Sequence, residues 1–418
     1  METAIPPPTV HRRGAPLFSR LRTAAGQADP FPIYRQLGAM GEVIAAPWGG
    51  HVITPYELCD GVLRNRRVFL EPDADWRSRQ GEATRWTAPS SKAMARTLVN
   101  LNGSGHTRAR RVAGGMFDRS TLDDLLRPVE GMIDRLLDGF AERLAEGETD
   151  FHELVSEQLP VETIGHWLGL PRTDYALMSD LAHKMAFTQE LLPSAGQLAE
   201  SDDAIAMLRA YFFPLIADRR RRPGDDPVSH WVAAWDRIEP NRELAYENVF
   251  DLAFFVVLSA LETTAALLSQ LVYHLLEHPA QWDWLTRHPE DVPQAVEEAL
   301  RYDPAIHLVT RIAAVDTEVA GTAVGAGEAV HVMLAAANRD PRRWEDPDSF
   351  NIHRPGQVNL SFSAGIHYCM GAPLARFEAQ SLLRAMLERF PGLSLARAPQ
   401  WHPRVVFRRP RGLMVGLA

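Results

Sequence analysis

Residues 362–376 read Phe362-Ser363-Ala364-Gly365-Ile366-His367-Tyr368-Cys369-Met370-Gly371-Ala372-Pro373-Leu374-Ala375-Arg376, and an apolar helical run to Leu383 follows at once. The stretch holds one of only two cysteines in the chain. A glycine stands four residues before that cysteine and another two after it. A thiolate in a glycine-bent loop at the start of a helix is electrostatically favoured. That is what a soft metal ligand needs. Most free cysteines, however, are buried packing residues, and the loop taken alone fits either role.

Bulk properties narrow the field. By length, 418 residues allow two or three domains, yet nothing reads as a linker that would separate them. With 46% hydrophobic and 23% charged residues, the composition is that of a soluble globular protein. A net charge of −9 argues against nucleic-acid binding. Cys59 and Cys369 form no CxxC pair, which excludes a zinc ribbon or dithiol motif. A reducing cytoplasm is expected. Met1 to Arg13 carries Pro6-Pro7-Pro8 and no apolar run, so neither a signal peptide nor a membrane anchor is expected there. Only Lys92 and Lys184 are lysines. The arginine excess suits bidentate contacts to carboxylates, but codon bias explains it equally.

Taken in order, residues 1–28 read as a loose lead-in and 29–418 as one domain. Pro30–Leu37 is expected to be a short helix, Val43–Thr54 a hairpin and Pro55–Leu63 a helix. From Phe69 to Ala93 the pattern is irregular, as in many functional loops. His106 and Arg110 share one helix face, which alone would be a solvated basic surface. Helices are expected over 122–144, 151–168, 173–192, 200–221, 227–235 and 292–302, and short strands after His307 and over 392–418. The most apolar helix, about 246–278, carries Ser259-Ala260-Leu261-Glu262-Thr263 near its middle. A carboxylate there is costly unless it has a partner or a role. Asp251 and Glu262 argue against a membrane span. Glu298 and Arg301 are within ion-pair reach at i, i+3. The whole reads as mainly α with minor β, an α+β class.

These motifs, in this order, resemble a bacterial soluble cytochrome P450, and the resemblance covers nearly the whole chain. Phe362, Gly365, His367, Cys369, Gly371, Leu374, Ala375 and Arg376 match the family's haem loop, with Ser363 where glycine is usual. Glu298 and Arg301 match E-x-x-R, and Arg354 follows in the place of the lock's third member. His106 and Arg110 match H-x-x-x-R, and Arg311 a strand arginine. Ser259 to Thr263 resembles A-G-x-[D/E]-T, with serine and alanine in place of alanine and glycine.

The resemblance implies a P450-like helical fold around a buried haem b with the Cys369 thiolate as axial ligand. It implies that His106, Arg110, Arg311 and His367 hold the propionates, that Phe362, Gly365 and Ala260 border the haem, and that Gly365 and Gly371 let amides approach the sulfur. Glu262 would relay protons for oxygen activation, and Thr263 would hydrogen-bond the peroxide and prevent its uncoupled loss. Glu298, Arg301 and Arg354 would be a structural lock. The pocket is expected at Phe187, Phe255, Leu258, Ser259, Ile306, His307 and Val309, with His307 either an orienting group or a satisfied loop histidine. The expected activity is a monooxygenase acting with O2 on a hydrophobic small molecule in secondary metabolism. Coupling, rearrangement or peroxide use on the same fold, and a non-catalytic haem sensor or carrier, are the alternatives. No flavin or dinucleotide fingerprint is present, so electrons would come from a separate ferredoxin and ferredoxin reductase, steered by Arg108, Arg111, Arg342 and Arg343. The expected form is a cytoplasmic monomer that binds neither nucleic acid nor membrane.

Overall fold

The apolar helix expected near 246–278 is the axis of the structure, a computed structural model that describes residues 14–80, 85–117, 119–356 and 358–417. It runs Arg242–Glu277. Asn241 starts it by accepting the Glu243 amide at 3.0 Å and the Leu244 amide at 3.2 Å, two donors that the first turn leaves free. Its 36 residues span roughly 54 Å. It is long and apolar enough to cross a membrane, but 78% of its most apolar window is buried inside the protein. Burial all round replaces the usual amphipathic stripe.

The helix joins two hydrophobic clusters. Ala245–Leu261 packs with the helices Tyr175–Met185, Ala195–Arg221 and Pro227–Ile238. Leu267–Leu276 packs with Arg119–Glu146, Val292–Tyr302 and Ala372–Arg389. Glu262, Thr263 and Thr264 interrupt the apolar run between the clusters, and the site is built beside them.

A five-stranded sheet lies in the order Val43–Ala45, His51–Ile53, Ala329–Val332, Val309–Ala313, Phe69–Leu70. The pairing of His51–Ile53 with Ala329–Val332 is parallel and the others are antiparallel. Gly50, at φ 74°, permits the close pass of the hairpin, because a Cβ there would stand 2.2 Å from the Ala329 carbonyl oxygen. Arg311 faces Val330 in this sheet. Leu393–Leu395 and Met414–Leu417 pair near the end of the chain, as expected.

Glu298 and Arg301 form a bidentate pair, both contacts at 2.7 Å. Arg301 also donates to the carbonyls of Asn338, Pro347 and Ser349. Arg354 reaches Glu298 at 3.4 Å and donates to the carbonyls of Glu345, Asp346 and Ser349. All three side chains are buried, so the network ties the proline-rich meander to the helix Val292–Tyr302.

Several expected elements differ. Part of the lead-in is helical, at Ala15–Arg20 and Ala24–Ala28, while residues 1–13 lie outside the described residues. The irregular stretch after Phe69 contains three short helical pieces: Ala74–Ser78, Arg85–Thr87 and Pro89–Ala95. The expected helix 173–192 is a helix Tyr175–Met185 between the 3-10 turns Arg172–Asp174 and Ala186–Gln189. The helix 200–221 starts earlier, at Ala195, because Ser194 and Gln197 make a reciprocal capping box. The segment 151–168 opens with a π-helical turn, His152–Ser156, before the helix Gln158–Trp167.

Candidate active site

The cysteine loop is held open by two left-handed residues. Ser363 has φ 61° and Gly365 has φ 71°. At Gly365 a Cβ would stand 2.6 Å from the Leu63 carbonyl oxygen, so only glycine fits. Its role is therefore the turn itself. The sulfur of Cys369 instead accepts hydrogen bonds from the amides of Gly371 and Ala372, at the start of the helix Ala372–Arg389. Ser363 keeps the glycine-like turn at some steric cost, and its Oγ is buried with no partner among the described residues.

Cys369 is exposed by surface area, yet protein encloses the thiol almost completely. The two observations agree because its free surface faces a cavity of about 790 Å³. Burial pushes the thiol pKa up, while the two amides, Arg110 and Arg376 oppose that shift.

The long helix forms another wall of the cavity. Leu252, Phe255, Val256, Ser259, Ala260 and Thr263 line it, one helical stripe. Ile306 and Val309 line it too, as expected, and so does Phe362. Three expected lining residues do not. Leu258 lies on another face of the helix and is 1% exposed, in the apolar core. Phe187 has its ring against the Arg404 guanidinium at 4.7 Å, while its neighbours Thr188 and Gln189 reach the cavity. His307 is a satisfied core histidine, with one ring nitrogen 2.7 Å from the Tyr34 hydroxyl and the other 3.4 Å from Asp303.

Glu262 is absent from that wall. Its carboxylate is 3.0 Å from Arg404, 3.1 Å from Arg409 and also paired with His183. Burial raises its pKa, but Arg409, Arg404 and His183 outweigh burial and hold the carboxyl well below the usual range. Arg409 continues to Glu157 and to His152, whose position the π-helical turn sets. Thr263, one residue on, donates to the Ser259 carbonyl at 2.5 Å. Arg404 and Arg409 come from a C-terminal strip in which Val406 and Phe407 line the cavity. No motif marks that strip in the sequence.

At one edge of the cavity His106, Arg110, Arg311 and His367 come together. The two histidine rings are 4.3 Å apart. Arg110, Arg311 and His367 also line an adjoining pocket of about 580 Å³, with His106, Arg66, Arg67 and Arg111. Burial, then Arg311, His106 and Arg110, push the His367 pKa down to about 2. The carboxylate nearest this cluster is one that the motifs did not indicate, Glu71, 2.7 Å from Arg311 and 3.6 Å from His367. Burial lifts its pKa to about 7 against the pull of Arg311 and Arg77.

A family model described as Cytochrome P450 matches residues 292–402. The cytochrome P450 monooxygenase PikC of Streptomyces venezuelae is 32% identical over 397 residues, covering 93% of this chain and 91% of PikC. The chain is a cytochrome P450.

The polyketide biosynthesis cytochrome P450 PksS of Bacillus subtilis is 33% identical, with 93% of each chain covered. A crystal structure of P450BioI in complex with an acyl carrier protein carrying hexadec-9Z-enoic acid superposes with TM-score 0.86 at 27% identity, covering 94% of this P450 and 100% of that chain. The family is one of haem-thiolate monooxygenases. The residues of this P450 fit that cofactor. A thiol opens onto a cavity, and four cationic or donor side chains gather at its rim around the Glu71 carboxylate. The buried Nε2 of His106 lacks a partner among the described residues. Such a donor surplus suits the two carboxylates of a haem.

Proposed function

We propose that this P450 inserts one oxygen atom from O2 into a mainly apolar small molecule in secondary metabolism, in the cytoplasm and as a monomer. The observation that carries this is the single cavity lined both by Cys369 and by Ser259, Ala260 and Thr263. When bound, haem supplies the dioxygen activation and the oxygen transfer.

The protein's own residues do the rest. Cys369 would hold the haem iron through its thiolate, and the Gly371 and Ala372 amides would temper its charge. His106, Arg110, Arg311 and His367 receive the propionates, and Phe362 and Ala260 border the ring. Thr263 lines the cavity, where its hydroxyl donates to the Ser259 carbonyl, and it would be the hydroxyl that takes part in proton delivery. Glu262 acts from behind. It rests ionised within the Arg404, Arg409 and His183 cluster; on taking a proton from protonated His183 and turning toward Thr263, it would pass that proton inward, and His183 would be reprotonated from solvent. The apolar lining excludes water and orients the substrate. Electrons come from a separate ferredoxin and its reductase. The names of relatives such as PikC and PksS support the setting in secondary metabolism.

The test is the reduced, carbon-monoxide-treated protein. It should show the absorption band of thiolate-ligated haem, lost in Cys369→Ser. With a ferredoxin system and a ligand found by spectral screening, one atom of labelled O2 should appear in the product. A Cys369→Ser protein that kept the band would sink the ligand assignment, and an unlabelled product would sink the monooxygenase reading.

A further inference from the structure

Two guanidiniums, Arg77 and Arg85, line the cavity apart from the rim cluster. Both lie against the indole of Trp86, at 4.9 and 4.1 Å from its ring centre. Trp76 meets Trp86 edge-on at 5.4 Å. Arg77 is 8% exposed, and its acceptors are all uncharged: the carbonyls of Pro72 and Ser91 and the side-chain oxygen of Asn100, at 2.6, 2.8 and 2.7 Å. Arg85 donates to the Glu190 carbonyl. Among the described residues neither has a carboxylate within ion-pair distance.

The nearby carboxylate that could neutralise Arg85 is already engaged. The Glu190 side chain accepts the amides of Val405, Val406 and Phe407 at 2.9, 3.2 and 3.1 Å. Among the described residues, two like charges therefore share one aromatic face without an ion-paired carboxylate, and Glu71, Asp73 and Glu190 act on them only from a longer distance. Burial lowers both pKa values to about 10, and each guanidinium remains charged at neutral pH. Cations withdrawn from water are normally paired, and here Arg77 is buried and Arg85 half-buried, so an arriving anion would complete the arrangement. Arginine held flat on an aromatic ring presents its edge, and that edge matches a carboxylate bidentately.

We propose that the substrate carries a carboxylate, received by Arg85 with Arg77 fixed beside it, while its apolar body lies against Leu98, Val99, Phe255 and Val256. This deepens the monooxygenase reading and rests on it. Arg85 is a specificity residue; Arg77, held by three neutral acceptors, sets the local potential.

The haem-loaded protein is titrated with dodecanoic acid, methyl dodecanoate, dodecylamine and dodecyl phosphate, and with phenylbutanoic acid and its methyl ester. Haem absorption and calorimetry both report binding. For at least one scaffold the acid should bind about tenfold or more tightly than the ester. Arg85→Leu should remove that preference while keeping the carbon-monoxide band, and Arg85→Lys should retain part of it. No acid-over-ester preference in either scaffold overturns the proposal. So does a preference that survives Arg85→Leu, or loss of haem in both Arg85 variants, which would assign the cation to a propionate. Dodecyl phosphate binding more tightly than dodecanoic acid overturns the carboxylate assignment. A missing thiolate band in the unaltered protein overturns the haem reading beneath it.

Discussion

At the scale of single residues, His183 shows how the acid network depends on pH. Its pKa is lowered by burial but raised more by Glu157 and Glu262, so the net shift is upward from 6.5. A histidine whose folded pKa exceeds its unfolded one stabilises fully below the unfolded value and loses that contribution as pH rises through the folded one. His183→Asn should therefore lower the Tm more at about pH 6 than at about pH 9. Its side chain is 30% exposed, so solvent screening keeps the difference modest. Thermal melts of both proteins at the two pH values decide it, and an equal loss at both would refute the charged pairing. Residue identity was most readable where spacing carries chemistry: His106, Arg110, Arg311, His367 and Cys369 meet as their motifs imply. Leu258, Phe187 and His307 were misplaced because helix phase and core packing, not residue type, decide which side chain meets a cavity. Glu71, Arg77 and Arg85 gave no signal because their significance lies in contacts between distant segments.

Among elements, the meander depends on its buried lock. Removing one member of a buried, hydrogen-bonded ion pair leaves the other charge uncompensated and costs about 3–5 kcal/mol. Arg301→Ala strands Glu298 and also frees the carbonyls of Asn338, Pro347 and Ser349. Its Tm should fall sharply and little haem should be retained, as measured by melting and by the ratio of haem to protein. A variant with near-normal stability would show that the meander is held some other way. The long helix and the helix after Cys369 were legible because each carries a long apolar pattern. The pieces Ala74–Ser78, Arg85–Thr87 and Pro89–Ala95 were not, since helices that short owe their existence to tertiary packing. The π-helical turn at His152–Ser156 left no pattern either, as its wide turn accompanies contacts with Ser269 and Arg409 far along the chain.

For the whole molecule, charge is distributed unevenly against a net of −9. Of the arginines expected to steer a ferredoxin, Arg342 pairs with Glu42 and Asp340, Arg343 with Glu57, and Arg108 with Glu239. Their fields are largely cancelled. Arg66, Arg67 and Arg111 are exposed around the pocket beside the propionate donors. Among the described residues they have no ion-pair partner. Uncompensated positive charge near the redox centre is what steers an acidic protein. The double variant Arg66→Glu, Arg111→Glu should slow ferredoxin-driven haem reduction severalfold in dilute buffer and much less in high salt. Stopped-flow reduction across salt concentrations tests this, and a salt-independent rate equal to that of the unaltered protein would rule the face out.

The strip 404–409 serves two tasks at once. Arg404 and Arg409 hold Glu262, while Val406 and Phe407 wall the cavity. An engineer who reshapes the wall at Phe407 moves the backbone that carries both arginines. Changes in what the enzyme accepts will there be inherited together with changes in how efficiently it spends electrons. Leu98 and Val99 line the cavity from a different segment, so evolution or design can retune acceptance at those positions without the same penalty.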